Sequence, residues 1–208
     1  MVLFNGQAEN PEDTYYAFAP AESTRRTKFI TAILLVGEDD QVDLPQLERL
    51  EGTNFIGVRV RQGGTTTDVY LNLLADGRVK HRNSNISIHG WQTDAYLVAF
   101  TSPDGRDMTD PNALSRCFVA HGSYLRRDGA VLLDSLSKVF LTVEPKGNDL
   151  SVLLDGQPVM NVTLRSARRP SKVLVNGRAV NGKYDEIGKA LKISIADKRG
   201  GQPLRRMP

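Results

Sequence analysis

The sequence predicts an all-β protein, an antiparallel β-sandwich of about a dozen strands with at most one short helix. Dipeptides in which Gly follows Asp or Asn recur between runs rich in Val, Ile, Leu, Thr and aromatic residues: Asp76-Gly77, Asp104-Gly105, Asp128-Gly129, Asp155-Gly156 and Asn176-Gly177. Tight hairpin turns need a positive φ, which Gly adopts freely and Asn or Asp tolerate. Because long helical periodicity is missing, we expect these strands to bury their apolar faces as two packed sheets.

The N-terminal part of the chain is predicted to contain two strands and a connector. The strands are expected at residues 14–19 and 27–36. Leucines then recur at helical spacing after Asp43, and Pro45 stands where a first helical turn accepts proline. One short helix is therefore expected at residues 44–50.

The next segment alternates as a half-buried strand does. Val58 and Val60 are expected to point to one face, and Arg59 and Arg61 to the other, because successive side chains of a strand alternate. The remaining strands are predicted at residues 69–74, 78–82, 93–101, 116–121, 132–133, 139–143, 150–154, 160–164, 172–175 and 191–195.

Two hairpins are predicted within this series. Residues 69–74 and 78–82 are expected to pair across Asp76-Gly77, and the strands on either side of Asp155-Gly156 are expected to pair with each other. The second of that pair should turn Met160, Val162 and Leu164 inward. We predict one domain over residues 1–208, with a frayed tail at residues 197–208.

Composition excludes several classes of protein. The chain has 208 residues, of which 40% are hydrophobic and 25% charged, as in ordinary globular proteins. Its longest apolar run, residues 30–36, is too short to span a bilayer. Residues 2–7 lack the pattern of a signal peptide, and the single Cys117 excludes an internal disulfide and a cysteine-rich metal site. We predict no membrane association and no export signal in this sequence.

Catalytic signatures are missing as well. The sequence contains no nucleophile elbow, phosphate-binding loop or paired-carboxylate pattern. The histidines His81, His89 and His121, with Asp104 or Asp107, could supply metal ligands, but none has a recognised ligand spacing. We therefore predict no metal and no cofactor, and we assign no catalytic residue.

The positive charges are clustered, although the net charge is only +3. The clusters lie at residues 25–28, 78–82, 126–127, 165–172 and 205–206. Clustering can focus an electric field on an anionic partner, and a solvated face is the alternative interpretation. An acidic glycan is favoured over nucleic acid, because the sequence has no basic recognition helix and no aromatic-studded binding strand.

The only tryptophan, Trp91, follows His89 and Gly90 in a predicted loop. An aromatic side chain in this position can stack on a sugar or line a site. The alternative is that Trp91 is the largest side chain of the core. The predicted ligand-binding residues are His89, Trp91, Arg59, Arg61, Arg78, Lys80, Arg126 and Arg127.

Three short motifs carry a family resemblance. They are His89-Gly90-Trp91-Gln92-Thr93-Asp94-Ala95-Tyr96, Val119-Ala120-His121-Gly122-Ser123 and Leu125-Arg126-Arg127-Asp128-Gly129. Together they resemble the C-terminal β-sandwich of heparinase II/III-type polysaccharide lyases. Residues 172–177 and 191–195 are similar to the closing strands of such domains, so that the resemblance runs from about Phe4 to Ile195.

The resemblance implies a module that packs against a helical toroid, with an acidic polysaccharide in the groove between them. In that family the proton-abstracting Tyr and the group that neutralises the uronate carboxylate come largely from the toroid, which this sequence does not contain. We therefore expect a non-catalytic module that contacts acidic polysaccharide or a companion toroid domain. The alternatives are a stand-alone carbohydrate-binding or structural sandwich, and an active lyase that uses the His89 loop. As part of an exported lyase, the chain would be periplasmic or extracellular.

Overall fold

The structure, a computed structural model, describes residues 2–7, 14–19, 28, 30, 44–75, 84–128, 130–156 and 159–196. Within these residues it is all-β and has no helix, which confirms the predicted fold class. The predicted strand at 78–82 and the predicted tail at 197–208 lie outside the described residues. So does nearly all of the predicted strand at 27–36. The chain divides into two compact units, Met1–Ala32 and Ile33–Pro208, and the single domain stays a prediction.

The first unit contains one antiparallel hairpin. Strand β1 (Val2–Gln7) pairs with β2 (Thr14–Ala19) over the full length of both strands. The second of these strands was predicted from its sequence pattern, whereas the first was not.

The second unit contains a 14-stranded sheet. Its first seven strands are β3 (Gln46–Gly52), β4 (Phe55–Gln62), β5 (Thr65–Asn72), β6 (Ile86–Ile88), β7 (Trp91–Thr93), β8 (Leu97–Pro103) and β9 (Arg116–Arg127). The other seven are β10 (Ala130–Lys146), β11 (Asp149–Asp155), β12 (Val159–Arg165), β13 (Val173–Val175), β14 (Arg178–Ala179), β15 (Gly182–Asp185) and β16 (Ala190–Ala196). All pairs are antiparallel except β11 with β13.

A long hairpin of β9 and β10 divides this sheet into two branches. The main path runs in the order β14-β13-β11-β10-β9-β8-β5-β4-β3. The start of β10 pairs instead with β12, which continues to β16 and β15, and the end of β9 pairs with β7. The register between β9 and β10 shifts between Asp134 and Val139. Such an irregularity bends a strand and lets one hairpin serve two layers.

A single apolar core joins the two branches. Val119 and Val152 from the main path are fully buried in the same cluster as Leu133, Leu164 and Ile193 from the other branch. This packing is the sandwich-like arrangement that the sequence predicted, because each branch hides its apolar face against the other.

The predicted helix at residues 44–50 is wrong. Residues 46–52 form β3, which pairs with β4 from Gln46 opposite Arg61 to Gly52 opposite Phe55. Leu50 is buried, while Leu47 is 44% exposed. The backbone hydrogen bonds to β4 outweigh a weak helical spacing, because local propensity is easily overridden by tertiary pairing.

The predicted pairing of β11 with β12 is also wrong. Strand β11 pairs with the end of β10, from Phe140 to Lys146, whereas β12 pairs with its start, from Leu133 to Ser135. The chain therefore crosses between branches between Asp155 and Val159. The inward direction of Val162 and Leu164 is confirmed, since both are buried.

Candidate functional site

A cleft of about 300 Å³ lies over the inner face of β4, β5 and β8. The turn between β6 and β7 and the loop that follows β8 form its other walls. The polar groups that matter for its chemistry are Arg59, Arg61, Asp68, Tyr70, His89 and Arg106. The cleft therefore gathers side chains from several segments that are distant in sequence.

A buried ion pair forms the floor of the cleft. Arg59 lies opposite Asp68 in the strand register, and its Nε and Nη2 atoms donate to the two carboxylate oxygens at 2.7 and 2.9 Å. Asp68 is only 1% exposed. Its hydrogen bond raises the pKa of Arg59, outweighing the opposite effect of burial. The guanidinium therefore stays charged and holds the carboxylate in place.

Tyr70 completes this floor. Its hydroxyl donates to Oδ2 of Asp68 at 2.9 Å. Burial first, and then the charge of Asp68, raises the pKa of Tyr70. The ring has space because Gly57 lies opposite it on β4, where an added Cβ would collide with the Val69 carbonyl oxygen and come within 3.2 Å of the Tyr70 ring.

A second arginine continues the charged row toward the edge of the sheet. Nη2 of Arg61 donates to Oε2 of Glu48 at 2.9 Å, and the same oxygen lies 3.6 Å from Nη1 of Arg59. Glu48 thus bridges the two arginines. The Arg61 side chain is 38% exposed, so it can offer further N–H groups to a ligand.

His89 stands at the rim of the cleft. It adopts a left-handed φ of 47° in the turn between β6 and β7, and it is exposed. Its ring lies 5.7 Å from that of Tyr70 and 6.0 Å from that of Phe55, between centroids. The turn geometry therefore places an accessible imidazole above two aromatic rings.

Trp91 lies in the core below the rim. It is 1% exposed, its ring packs against Phe100 at 5.7 Å between centroids, and its Nε1 points to the Met108 carbonyl oxygen at 3.4 Å. An indole so deeply buried has no free face for a sugar. Trp91 is therefore a core side chain, the second of the two roles predicted for it, and not a stacking platform.

The loop after β8 is held in place by Arg127. Nη1 of Arg127 donates to the Thr109 carbonyl oxygen at 3.1 Å, and the guanidinium would lie 3.5 Å from a Cβ added to Gly90. The Asp107 carboxylate accepts hydrogen bonds from the backbone and the hydroxyl of Thr109, which lower the pKa of Asp107. Arg127 thus joins the loop to the His89 turn.

The structure brings together only part of the predicted set. His89, Arg59 and Arg61 line one cleft, with Trp91 beneath them and Arg127 behind the loop. Arg126 is separate, because its guanidinium lies over the Tyr124 ring at 4.8 Å. Arg78 and Lys80 lie outside the described residues.

Sequence reasoning missed Asp68, Tyr70 and Arg106. Asp68 and Tyr70 alternate with outward-facing residues of β5. This alternation indicates which residues share a face of the strand, but it does not identify a binding site. The strand register that sets Asp68 opposite Arg59 would have been the useful signal.

Two further features are absent from the described residues. In that part of the chain, no three His, Cys, Asp or Glu side chains come together to hold a metal ion. It also contains no helix with the length and apolarity needed to cross a bilayer. Tyr96 does not line the cleft.

No protein-family model matches this chain, and no curated protein matches it either. The resemblance to heparinase-type sandwiches therefore depends on the sequence motifs.

Proposed function

We propose that this chain is a non-catalytic β-sandwich module of a heparinase II/III-like polysaccharide lyase and that it binds acidic polysaccharide in the cleft. The observation that carries the proposal is the set of arginines around one open cleft, Arg59, Arg61 and Arg106. A guanidinium is planar and donates in pairs, which suits the carboxylates and sulfates of acidic sugars.

The three arginines differ in how much charge they offer. Arg59 is paired with the buried Asp68, and Arg61 shares Glu48 with it. Arg106 is exposed, and no carboxylate of the described residues lies within ion-pair distance of it. Arg106 is therefore the main anion contact of the proposal, while Arg61 contributes from the opposite side.

The same cleft also suits sugar hydroxyl groups. Asp107 is exposed at its rim, and a carboxylate accepts hydrogen bonds from hydroxyls. This mixture of donors and acceptors supports a carbohydrate more than a simple anion.

The state of Tyr70 supports a binding role over catalysis. Abstracting the proton next to a uronate carboxylate needs a base and a group that stabilises the developing charge. The Tyr70 hydroxyl donates a hydrogen bond to Asp68, and its raised pKa keeps the phenol protonated. In this proposal, the catalytic base belongs to a companion toroid domain.

Titration of the chain with heparin, alginate and neutral dextran tests the proposal. We expect weak binding to the two acidic polymers that is lost as salt rises, and much weaker binding to dextran. Equal affinity for acidic and neutral polymers would favour the stand-alone carbohydrate-binding sandwich and would contradict the acidic ligand.

Matched arginine variants locate the site. Arg106→Gln and Arg61→Gln should each weaken heparin binding severalfold. Arg49→Gln is the control, since Arg49 also carries a positive charge but lies opposite Val58 on the other face of β3 and β4. A loss of affinity in the control as large as that in Arg106→Gln would place the ligand elsewhere.

A further inference from the structure

A second cavity, of about 450 Å³, lies where β9, β10, β11 and the end of β12 meet. It shares no lining residue with the cleft. Its inner wall is apolar and consists of Leu114, Cys117, Leu132, Val143 and Leu150. It is therefore a separate site with a different chemical character.

Arg165 lines this cavity with an unused donor. Arg165 is the last residue of β12, and its Nε is buried without a hydrogen-bond partner in the described part of the chain. A buried N–H without an acceptor costs free energy, and such groups are rare in folded proteins. A ligand acceptor would satisfy it after a small turn of the side chain, since this nitrogen is closed to solvent in the structure.

Arg168 adds a second guanidinium to the lining. Its Nη2 donates to the Gly147 carbonyl oxygen at 2.7 Å, which holds it in place while its other N–H groups stay available. Asp149 is the one carboxylate among the lining residues. Within the described residues, neither arginine forms an ion pair with it, so two cations face one anion.

We propose that this cavity binds a small amphipathic anion, a carboxylate carried on an apolar body of medium-chain length. The carboxylate would accept hydrogen bonds from Arg165 and Arg168, and the apolar body would lie against Leu132 and Val143. A sugar would leave its hydroxyl groups unpaired against these walls, which is costly. The site therefore goes beyond the binding of polysaccharide at the cleft.

Calorimetric titration of the full chain with octanoate tests this site, with acetate and 1-octanol as matched probes. Acetate keeps the charge without the apolar body, and octanol keeps the body without the charge. We expect octanoate to bind at least about tenfold more tightly than either, since a hydrogen bond to a charged group contributes about 1.5–3 kcal/mol. Octanol binding as tight as octanoate binding would overturn the proposal.

Backbone amide NMR shifts locate the bound probe. Octanoate should shift the amides of Cys117, Leu132 and Val143, and it should leave those of Arg59 and Asp68 in the cleft unchanged. Shifts confined to the cleft, or spread over the whole surface, would contradict the assignment.

Variants test the two guanidiniums. Arg165→Gln and Arg168→Gln should each weaken octanoate binding about tenfold, whereas Arg178→Gln on the exposed strand β14 should not. Arg168 is exposed, so its variant keeps the test valid if Arg165→Gln fails to fold. Unchanged octanoate affinity in Arg168→Gln would exclude the proposed anion contact.

Discussion

Arg59 and Asp68 lie directly opposite each other on β4 and β5 and form a two-point ion pair at 2.7 and 2.9 Å. Asp68 is 1% exposed, so its charge is stabilised by the guanidinium and by the hydroxyl of Tyr70. A buried carboxylate is costly unless it is paired and hydrogen-bonded. This pair therefore links the stability of the sheet to the shape of the cleft.

Arg59→Met should lower the free energy of unfolding by about 3 kcal/mol, because it leaves the buried Asp68 without its cation. Urea unfolding at neutral pH measures the change. Arg49→Met is the matched control. Arg49 pairs with Glu51 at 2.8 Å, but its side chain is 77% exposed, and exposed pairs contribute little. An equal loss of unfolding free energy in the two variants would show that the buried Arg59–Asp68 pair stabilises the fold no more than an exposed pair does.

Asp94 should make the fold sensitive to acid. Burial acts to raise its pKa, but hydrogen bonds from Lys138 and Ser123 outweigh burial and lower it. The Asp94 carboxylate therefore contributes stability that is fully present above the ordinary Asp pKa of about 3.9. That contribution is lost as the pH falls through the lower pKa of the folded state.

We expect the wild-type free energy of unfolding, measured in urea from pH 6 to pH 3, to fall more steeply below about pH 4 than that of Asp94→Asn. Asp134→Asn, which changes an exposed carboxylate on β10, should keep the wild-type acid dependence. An Asp94→Asn profile parallel to the wild type would mean that the lowered pKa of Asp94 has no effect on stability.

The fluorescence of Trp91 should report a buried indole. It is the only tryptophan of the chain, and its 1% exposure predicts blue-shifted emission with little quenching by acrylamide. Unfolding in urea should shift the emission to the red and restore quenching. Strong quenching of the native protein would instead support the stacking platform that the structure argues against.

Removal of the Arg127 guanidinium should loosen the loop after β8. In Arg127→Met the Thr109 carbonyl oxygen loses its donor, so amide hydrogen exchange should become faster at Thr109, whose N–H bonds Asp107. Arg126→Met is the neighbouring control, because Arg126 contacts Tyr124. The same acceleration in both variants would show that Arg127 does not position the loop after β8.

The isolated chain should release no unsaturated uronate products from heparin, heparan sulfate or alginate. The reason is that burial and Asp68 keep Tyr70 protonated. Tyr70 therefore cannot act as a base together with the exposed His89. Ultraviolet absorbance of the unsaturated product measures turnover. Activity that disappears in His89→Ala would overturn the non-catalytic proposal and favour an active lyase.

Part of the candidate site could be predicted because it depends on local pattern. The alternation in β4 sets Arg59 and Arg61 on one face, and the residues around His89 mark a turn. The role of Trp91 could not be decided, since a buried and an exposed indole have the same neighbours in sequence. Its burial depends on Phe100 and Met108, which arrive from a different strand and loop.

By itself, the sequence determined the strand character and several turns of this protein. Asn176 and Gly177 have φ values of 51° and 76°, and Gly105 has a φ of 76°, as their residue types require. These are properties of single residues and their neighbours. They can therefore be deduced without knowing the fold.

Only the tertiary structure decided which strands pair and which charges meet. Strand β10 pairs with β11 at one end and with β12 at the other, although β11 and β12 have the same alternation of apolar and polar residues. The partner of a strand depends on how the whole core packs, and many pairings satisfy the same pattern of apolar residues. For the same reason, Asp68 became the partner of Arg59 only when β4 and β5 came into register.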